Sequence, residues 1–197
     1  MNPAALIVID VQYAFDDQTY WGKRNNPGCE SNISRLVSTW QDRGWPIVVV
    51  RHDSDHPGSP LHPSSAKHSF KDCVPQNFDL LVTKNVNSAF YGTPSLEEWL
   101  HTRGINKLVI CGITTNHCCE TTARMAGNLG FDVSFILDAT ACFPRTDHEG
   151  KTVSADEIMR ATAANLHGEF ANVMTTANYV ETLSLIHISE PTRRTPI

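Results

Sequence analysis

The chain has no run of about 18 consecutive apolar residues, so nothing in it reads as a membrane-spanning helix. It also lacks a basic surplus. Its 16 Lys and Arg stand against 21 Asp and Glu, a net charge of -5, which argues against a large nucleic-acid footprint. The start, MNPAALIVIDVQ, has neither the basic stretch nor the small-residue cleavage site of a secretory signal. C-x-x-C spacing is absent among the six cysteines, and the neighbours Cys118 and Cys119 suit neither a disulfide nor a zinc knuckle. These absences point to a cytoplasmic protein with reduced thiols. Most of them are expected to pack as small apolar side chains, leaving at most one or two for chemistry.

What is present is an alternation of apolar runs and helical patterns over a length that suits one α/β domain. Candidate strands are Ala4–Ile9, Pro46–Val50, Leu80–Thr83, Lys107–Cys111, Asp132–Leu137 and Ala171–Thr175. Their continuous Val- and Ile-rich character fits parallel strands covered on both faces. Candidate helices are Cys29–Arg43, Thr93–Arg103, Cys118–Leu129, Ser154–His167 and Ala177–Leu183. Strand and helix in alternation predict a doubly wound parallel sheet, which binds ligands at the carboxyl ends of its strands. The segment Arg51–Phe78, rich in proline and histidine, reads as a long loop over that edge. The last stretch, SLIHISEPTRRTPI (residues 184–197), has no amphipathic logic. The domain is therefore expected to span 1–183, followed by a non-native or disordered tail.

Three residue types that can act together fall on one sheet edge. Asp10 ends the first strand, Lys84 the third, and Cys118 follows the fourth. A cysteine in the first turn of a helix faces unpaired N–H groups, which favour the thiolate and pull its pKa down. A nearby lysine adds to that effect. An aspartate in reach can take the thiol proton and return it to a leaving amine. Each residue alone has a plainer reading: a cap, a solvated charge, a packed thiol. Their convergence favours the chemical one.

At these residues the sequence resembles the isochorismatase-like cysteine hydrolases, which include nicotinamidases, N-carbamoylsarcosine amidohydrolases and isochorismatases. The likeness rests on LIVIDVQYAF, VTKNVNSAFYGT, GITTNHCCETTARMAGNLGF and LDATACF in the expected order. It implies a Rossmann-like three-layer α/β/α sandwich with a six-stranded parallel sheet and an Asp10–Lys84–Cys118 triad. It also implies a cis peptide from Ile113 to Thr114 that aims the Thr114 and Cys118 N–H groups at one oxyanion; an ordinary trans turn is the plainer alternative. Cys119 stands where the family carries an apolar residue and is expected in the core.

One departure from the resemblance matters. Nicotinamidases hold a metal through an Asp-x-His pair after the second strand. Here that stretch reads VVVRHDSDHPGSPLH, with Arg51 in place of the aspartate. His52, Asp53, Asp55, His56, His62 and His68 are of ligating type, yet a solvated loop or substrate rim is the favoured reading, with no metal and no cofactor. Phe15, Trp21, Phe90, Tyr91, His117 and Phe143 are the candidates for binding substrate. Asp138 is expected to bond backbone near the site, and Arg124 to pair with an acid.

The function expected is hydrolysis of a small-molecule amide or related C–N bond through a thioester acyl-enzyme. Alternatives are isochorismate-type vinyl ether hydrolysis and a non-catalytic thiol sensor or binding module. The expected partner is a small-molecule substrate, with no nucleic acid and no membrane, and the resemblance implies a homo-oligomer.

Overall fold

The structure, a computed structural model, describes residues 3–189. Its strands are β1 (Ala5–Ile9), β2 (Ile47–His52), β3 (Leu80–Lys84), β4 (Lys107–Ile113) and β5 (Asp132–Ala141). A small antiparallel hairpin of β6 (Arg145–Thr146) and β7 (Thr152–Val153) precedes the last strand, β8 (Asn172–Met174). Six strands form one parallel sheet in the order β3-β2-β1-β4-β5-β8. The helices are α1 (Gln18–Trp21), α2 (Cys29–Arg43), α3 (Leu96–Thr102), α4 (Glu120–Asn128), α5 (Ala155–Leu166) and α6 (Thr176–Ser189).

The pleat of β1 shows why both sheet faces must be covered. Leu6 and Val8 point one way and pack with Ile33, Leu36 and Trp40 of α2 and Tyr179 and Leu183 of α6. Ala5, Ile7 and Ile9 point the other way and pack with Leu96 and Leu100 of α3, Ala123 and Ala126 of α4 and Leu166 of α5. Each fully buried Leu or Ile contributes roughly 1.5–3 kcal/mol. This is the three-layer α/β/α sandwich with a six-stranded parallel sheet that the sequence implied. Trp40, buried like its neighbours, keeps its indole N–H satisfied at the Ala4 carbonyl, 2.8 Å away.

Several boundaries differ from the sequence-based expectation. The helix foreseen over Thr93–Arg103 begins at Leu96, because Thr93 exchanges backbone hydrogen bonds with Thr83 of β3 and Ser95 caps the helix through Glu98 N–H. The strand foreseen over Asp132–Leu137 runs on to Ala141, since its far end pairs with Gly112 and Ile113. The last helix was expected to stop at Leu183 and continues to Ser189; residues 190–197 of the expected tail lie outside the described residues. Among the described residues, no helix is long and apolar enough to cross a membrane.

The end of β4 depends on one glycine. The register between β4 and β5 shifts between Ile110 and Gly112, and Gly112 takes φ 134°. A Cβ there would overlap the Ile9 carbonyl of β1. This close approach brings the ends of β1 and β4, and with them Asp10 and the turn holding Cys118, side by side. Gly112→Ala should therefore destabilise the fold by at least ~2 kcal/mol, through both the backbone conformation and the clash. The shift in urea-unfolding midpoint measures it.

Candidate active site

The sheet order lines up four chemically capable side chains. Lys84, His52 and Asp10 close or follow the neighbouring strands β3, β2 and β1, and Cys118 follows β4. Asp10 leaves β1 in the left-handed region at φ 52°, a conformation that aspartate tolerates better than most residues. Lys84 reaches across β2 and places Nζ 2.6 Å from Asp10 Oδ2, both side chains wholly shut off from solvent. Burial alone works against the Lys84 charge. Asp10 beside it, aided by Cys118, outweighs that and raises the lysine above its ordinary value. An atom each of Asp10, His52 and Cys118 lie within 4.8 Å of one another. Among the described residues, two buried side-chain oxygens have no partner: Asp10 Oδ1 and Thr114 Oγ1.

Cys118 departs from expectation in its local structure and its acidity. It does not open an α-helix. Thr115–Cys119 forms one wide turn, closed by Cys119 N–H donating to the Thr114 carbonyl five residues back, and α4 starts only at Glu120. The thiol was expected to titrate low. Burial instead pushes it well above the ordinary cysteine value, and the Asp10 carboxylate adds to the rise; Lys84 pulls down without compensating. Loss of water outweighs the oriented N–H groups that the sequence pattern suggested. The bond from Ile113 to Thr114 is cis. Cys119 is fully buried, as its expected packing role requires.

The expected binding residues do not gather in one place. Phe15, Trp21 and Phe143 gather into one aromatic group with ring centroids 5.1–6.0 Å apart, and Trp21 Nε1 donates to the Ala14 carbonyl. Phe90 packs instead against Phe131 in the core beneath α3 and α4. Tyr91, 72% exposed, stands at the rim of a cavity of about 290 Å³ that Asp53, Asp55 and Lys84 also line. His117 is half-buried; burial, then the charge of Arg145, pulls its pKa down. Arg124 pairs with Glu120 at 2.8 Å. Asp138 bonds backbone, as expected: its Oδ1 accepts from Thr176 N–H and Oγ1 at the start of α6.

Residues 4–177 match the Isochorismatase domain. The chain belongs to the isochorismatase family. An uncharacterized isochorismatase family protein of Bacillus subtilis, YrdC, is 44% identical over 184 residues, covering 93% of this chain and 97% of that one. The ureidoacrylate amidohydrolase RutB of Variovorax paradoxus is 27% identical over 218 residues, with 93% and 82% covered. The crystal structure of an isochorismatase-family protein from Chromobacterium violaceum superposes with a TM-score of 0.88 at 39% identity, covering 94% of this chain and 95% of that one.

In this isochorismatase-family hydrolase the donors that could hold a metal do not fit one. Asp10, His52 and Cys118 are the only such cluster among the described residues. The Lys84 ammonium sits 2.6 Å from Asp10 Oδ2 and 3.2 Å from His52 Nδ1, so a cation already occupies the space between them. The other ligating types of the long loop are spent locally. Asp53 binds Arg51 and His68, Asp55 accepts from Asn85, and His56 and His62 accept backbone N–H groups two residues on.

Sequence reasoning missed His52 and Gln12 as site residues. Gln12 is fully buried and grips the His52 backbone from both sides: its Oε1 accepts from His52 N–H at 2.9 Å, and its Nε2 donates to the carbonyls of His52 and His68. Its place two residues after Asp10 was the signal available. A second network pins the long loop to the segment after β1. Lys71, itself buried, bridges Asp16 and Glu30, and Arg24 makes a two-pronged pair with Glu30 at 2.6 and 2.7 Å. Burial works against the Glu30 charge, yet Arg24 and Lys71 hold its carboxyl down at about 2, from an ordinary 4.5. A depressed carboxyl stabilises the fold above its unfolded pKa and loses that contribution as pH falls through the folded value. Glu30→Gln should cost about 2–3 kcal/mol at pH 7 by this linkage. The gap between the two proteins in urea unfolding should narrow as pH falls below 4.5 towards 2.

Proposed function

We propose that this isochorismatase-family hydrolase cleaves a small-molecule amide or related C–N bond through a thioester acyl-enzyme carried by Cys118. The observation that supports it is the buried Lys84–Asp10 pair, with Asp10 Oδ1 unpartnered and a carboxylate oxygen of Asp10 within 4.8 Å of the Cys118 sulfur, whose thiol donates at rest to Asn87 Oδ1 at 3.8 Å. A thiol whose pKa is raised does not stand as thiolate; its proton must pass to a base in contact as it attacks. Asp10 is that base.

Cys118 Sγ then bonds to the substrate carbonyl carbon, and its proton moves to Asp10. The oxyanion forms against the Thr114 and Cys118 N–H groups. Asp10 returns the proton to the nitrogen, the C–N bond breaks, and ammonia or an amine departs. Water, giving a proton to Asp10, attacks the thioester; the acid is released and the proton returns to sulfur. Lys84 holds Asp10 in place throughout. In this reading the packed rings of Phe15, Trp21 and Phe143 are the wall for a planar or alkyl portion of the substrate.

The relative named as an amidohydrolase supports C–N chemistry over vinyl ether hydrolysis. The buried, raised thiol supports catalysis over sensing, which calls for an exposed, low-pKa cysteine. An ammonia-release screen across small amides and N-carbamoyl compounds should find turnover that vanishes in Cys118→Ala and falls ~10²–10⁴-fold in Asp10→Asn. Full turnover in Cys118→Ala, or pyruvate release from isochorismate as the only activity, would overturn the proposal.

A further inference from the structure

A lysine ammonium has three N–H donors, and burying one unpaired is costly. Lys84 Nζ is fully buried, so all three must be met within the protein. Asp10 Oδ2 takes one at 2.6 Å, and the Cys118 sulfur stands in the same cluster, within 4.8 Å of an atom each of Asp10 and His52, its own thiol turned to Asn87 Oδ1 at 3.8 Å. The third partner comes from the strand between. In the sheet order β3-β2-β1, Lys84 must cross β2 to reach Asp10, and the residue it crosses is its own register partner, His52. His52 Nδ1 lies 3.2 Å from Lys84 Nζ and 3.9 Å from Asp10 Oδ2, with the imidazole 15% exposed.

We propose that His52 is a positioning residue for the reaction. It accepts one Lys84 N–H at Nδ1, so that with Asp10 holding a second, the third is aimed at Cys118 Sγ. The proposal rests on the acyl-enzyme reading above and adds a fourth member to its site. Two features support it. The Gln12 side chain bonds both the N–H and the C=O of His52, which fixes the ring's origin more firmly than β2 pairing alone. The surroundings also keep the ring neutral, as an acceptor must be. Burial lowers its pKa, Asp10 raises it and Lys84 lowers it; Asp53 and Asp55 act more weakly from its own loop, and the net direction is down. A protonated ring would have no lone pair for the ammonium and would set two cations in contact.

Two measurements test this without any substrate. The first follows the His52 imidazole by nitrogen NMR with pH in wild type and in Lys84→Met. Removal of the ammonium leaves Asp10 as the dominant neighbour, so the His52 pKa should rise. An unchanged value means the two side chains are not coupled, and the proposal fails.

The second follows iodoacetamide alkylation of Cys118 at pH 8, with fragment-ion mass spectrometry separating it from Cys111 and Cys119. His52→Leu fills the space but cannot accept, so the ammonium swings free of the sulfur. The alkylation rate should fall about tenfold, the equivalent of one pKa unit in thiolate population. His52→Asn restores an acceptor near the Nδ1 position and should recover most of the rate; a merely structural histidine would show no such rescue. A His52→Leu rate equal to or above wild type overturns the proposal, even where Cys118-dependent amide turnover persists and the acyl-enzyme reading stands. The reverse result, coupling and rescue without turnover on any amide, would sink that reading while leaving the His52–Lys84–Cys118 contact intact. Either measurement decides alone should one variant fail to fold.

Discussion

The Lys84–Asp10 ion pair is the contact on which the site depends, because both partners are removed from water. Desolvating each ion costs several kcal/mol, and their attraction offsets this only when geometry is close and the remaining donors are met. That requirement reaches far into the fold. It demands that β1 and β3 be held at a fixed offset with β2 between them, that Lys84 extend across β2, and that His52 lie within reach of the ammonium. A slip of one residue in either pairing would turn a side chain to the opposite sheet face and leave a bare charge in the core.

The same logic explains the chemistry of the thiol. A cysteine beside a lysine at a turn of oriented N–H groups is expected to be acidic. Here the sulfur is buried next to a carboxylate, and burial dominates. The result is a resting thiol, within 4.8 Å of the Asp10 carboxylate and donating to Asn87 Oδ1. In the mechanism proposed above, attack is tied to proton transfer, and no standing thiolate is exposed to oxidants. The lysine ammonium also stands between Asp10 and His52, which gives the site a fixed positive charge.

The walls around this centre are held by a second set of charges. Glu30, with Arg24 and Lys71, ties the long loop to the segment following β1. Backbone bonds from Tyr13 N–H to the Ser69 carbonyl and from Lys71 N–H to the Val11 carbonyl add to it. A loop that looks irregular in sequence is thereby made a fixed side of the site. Most of its histidines serve turns and local pairs within it.

The alternation of apolar runs with helical segments was enough to place six strands and most helices. Asp10, Lys84 and Cys118 could be assigned to one edge because side chains that end or follow parallel strands share it. Family membership followed from four short motifs in order. What the sequence could not carry was anything set by distance or by loss of solvent. Arg24, Asp16, Glu30 and Lys71 are ordinary surface types until a loop folds back on them. Asp138 was expected to bond backbone, but only the extension of β5 shows which: its carboxylate goes to Thr176 at the start of α6. His52 read as one more histidine in a polar loop, and only the strand order, which sets β2 between β3 and β1, makes it the residue that Lys84 must pass. Local pattern along the chain thus determined which residues stand at the edge. Tertiary packing alone decided which of them touch and which keep their protons, because both depend on how much water the assembled layers exclude.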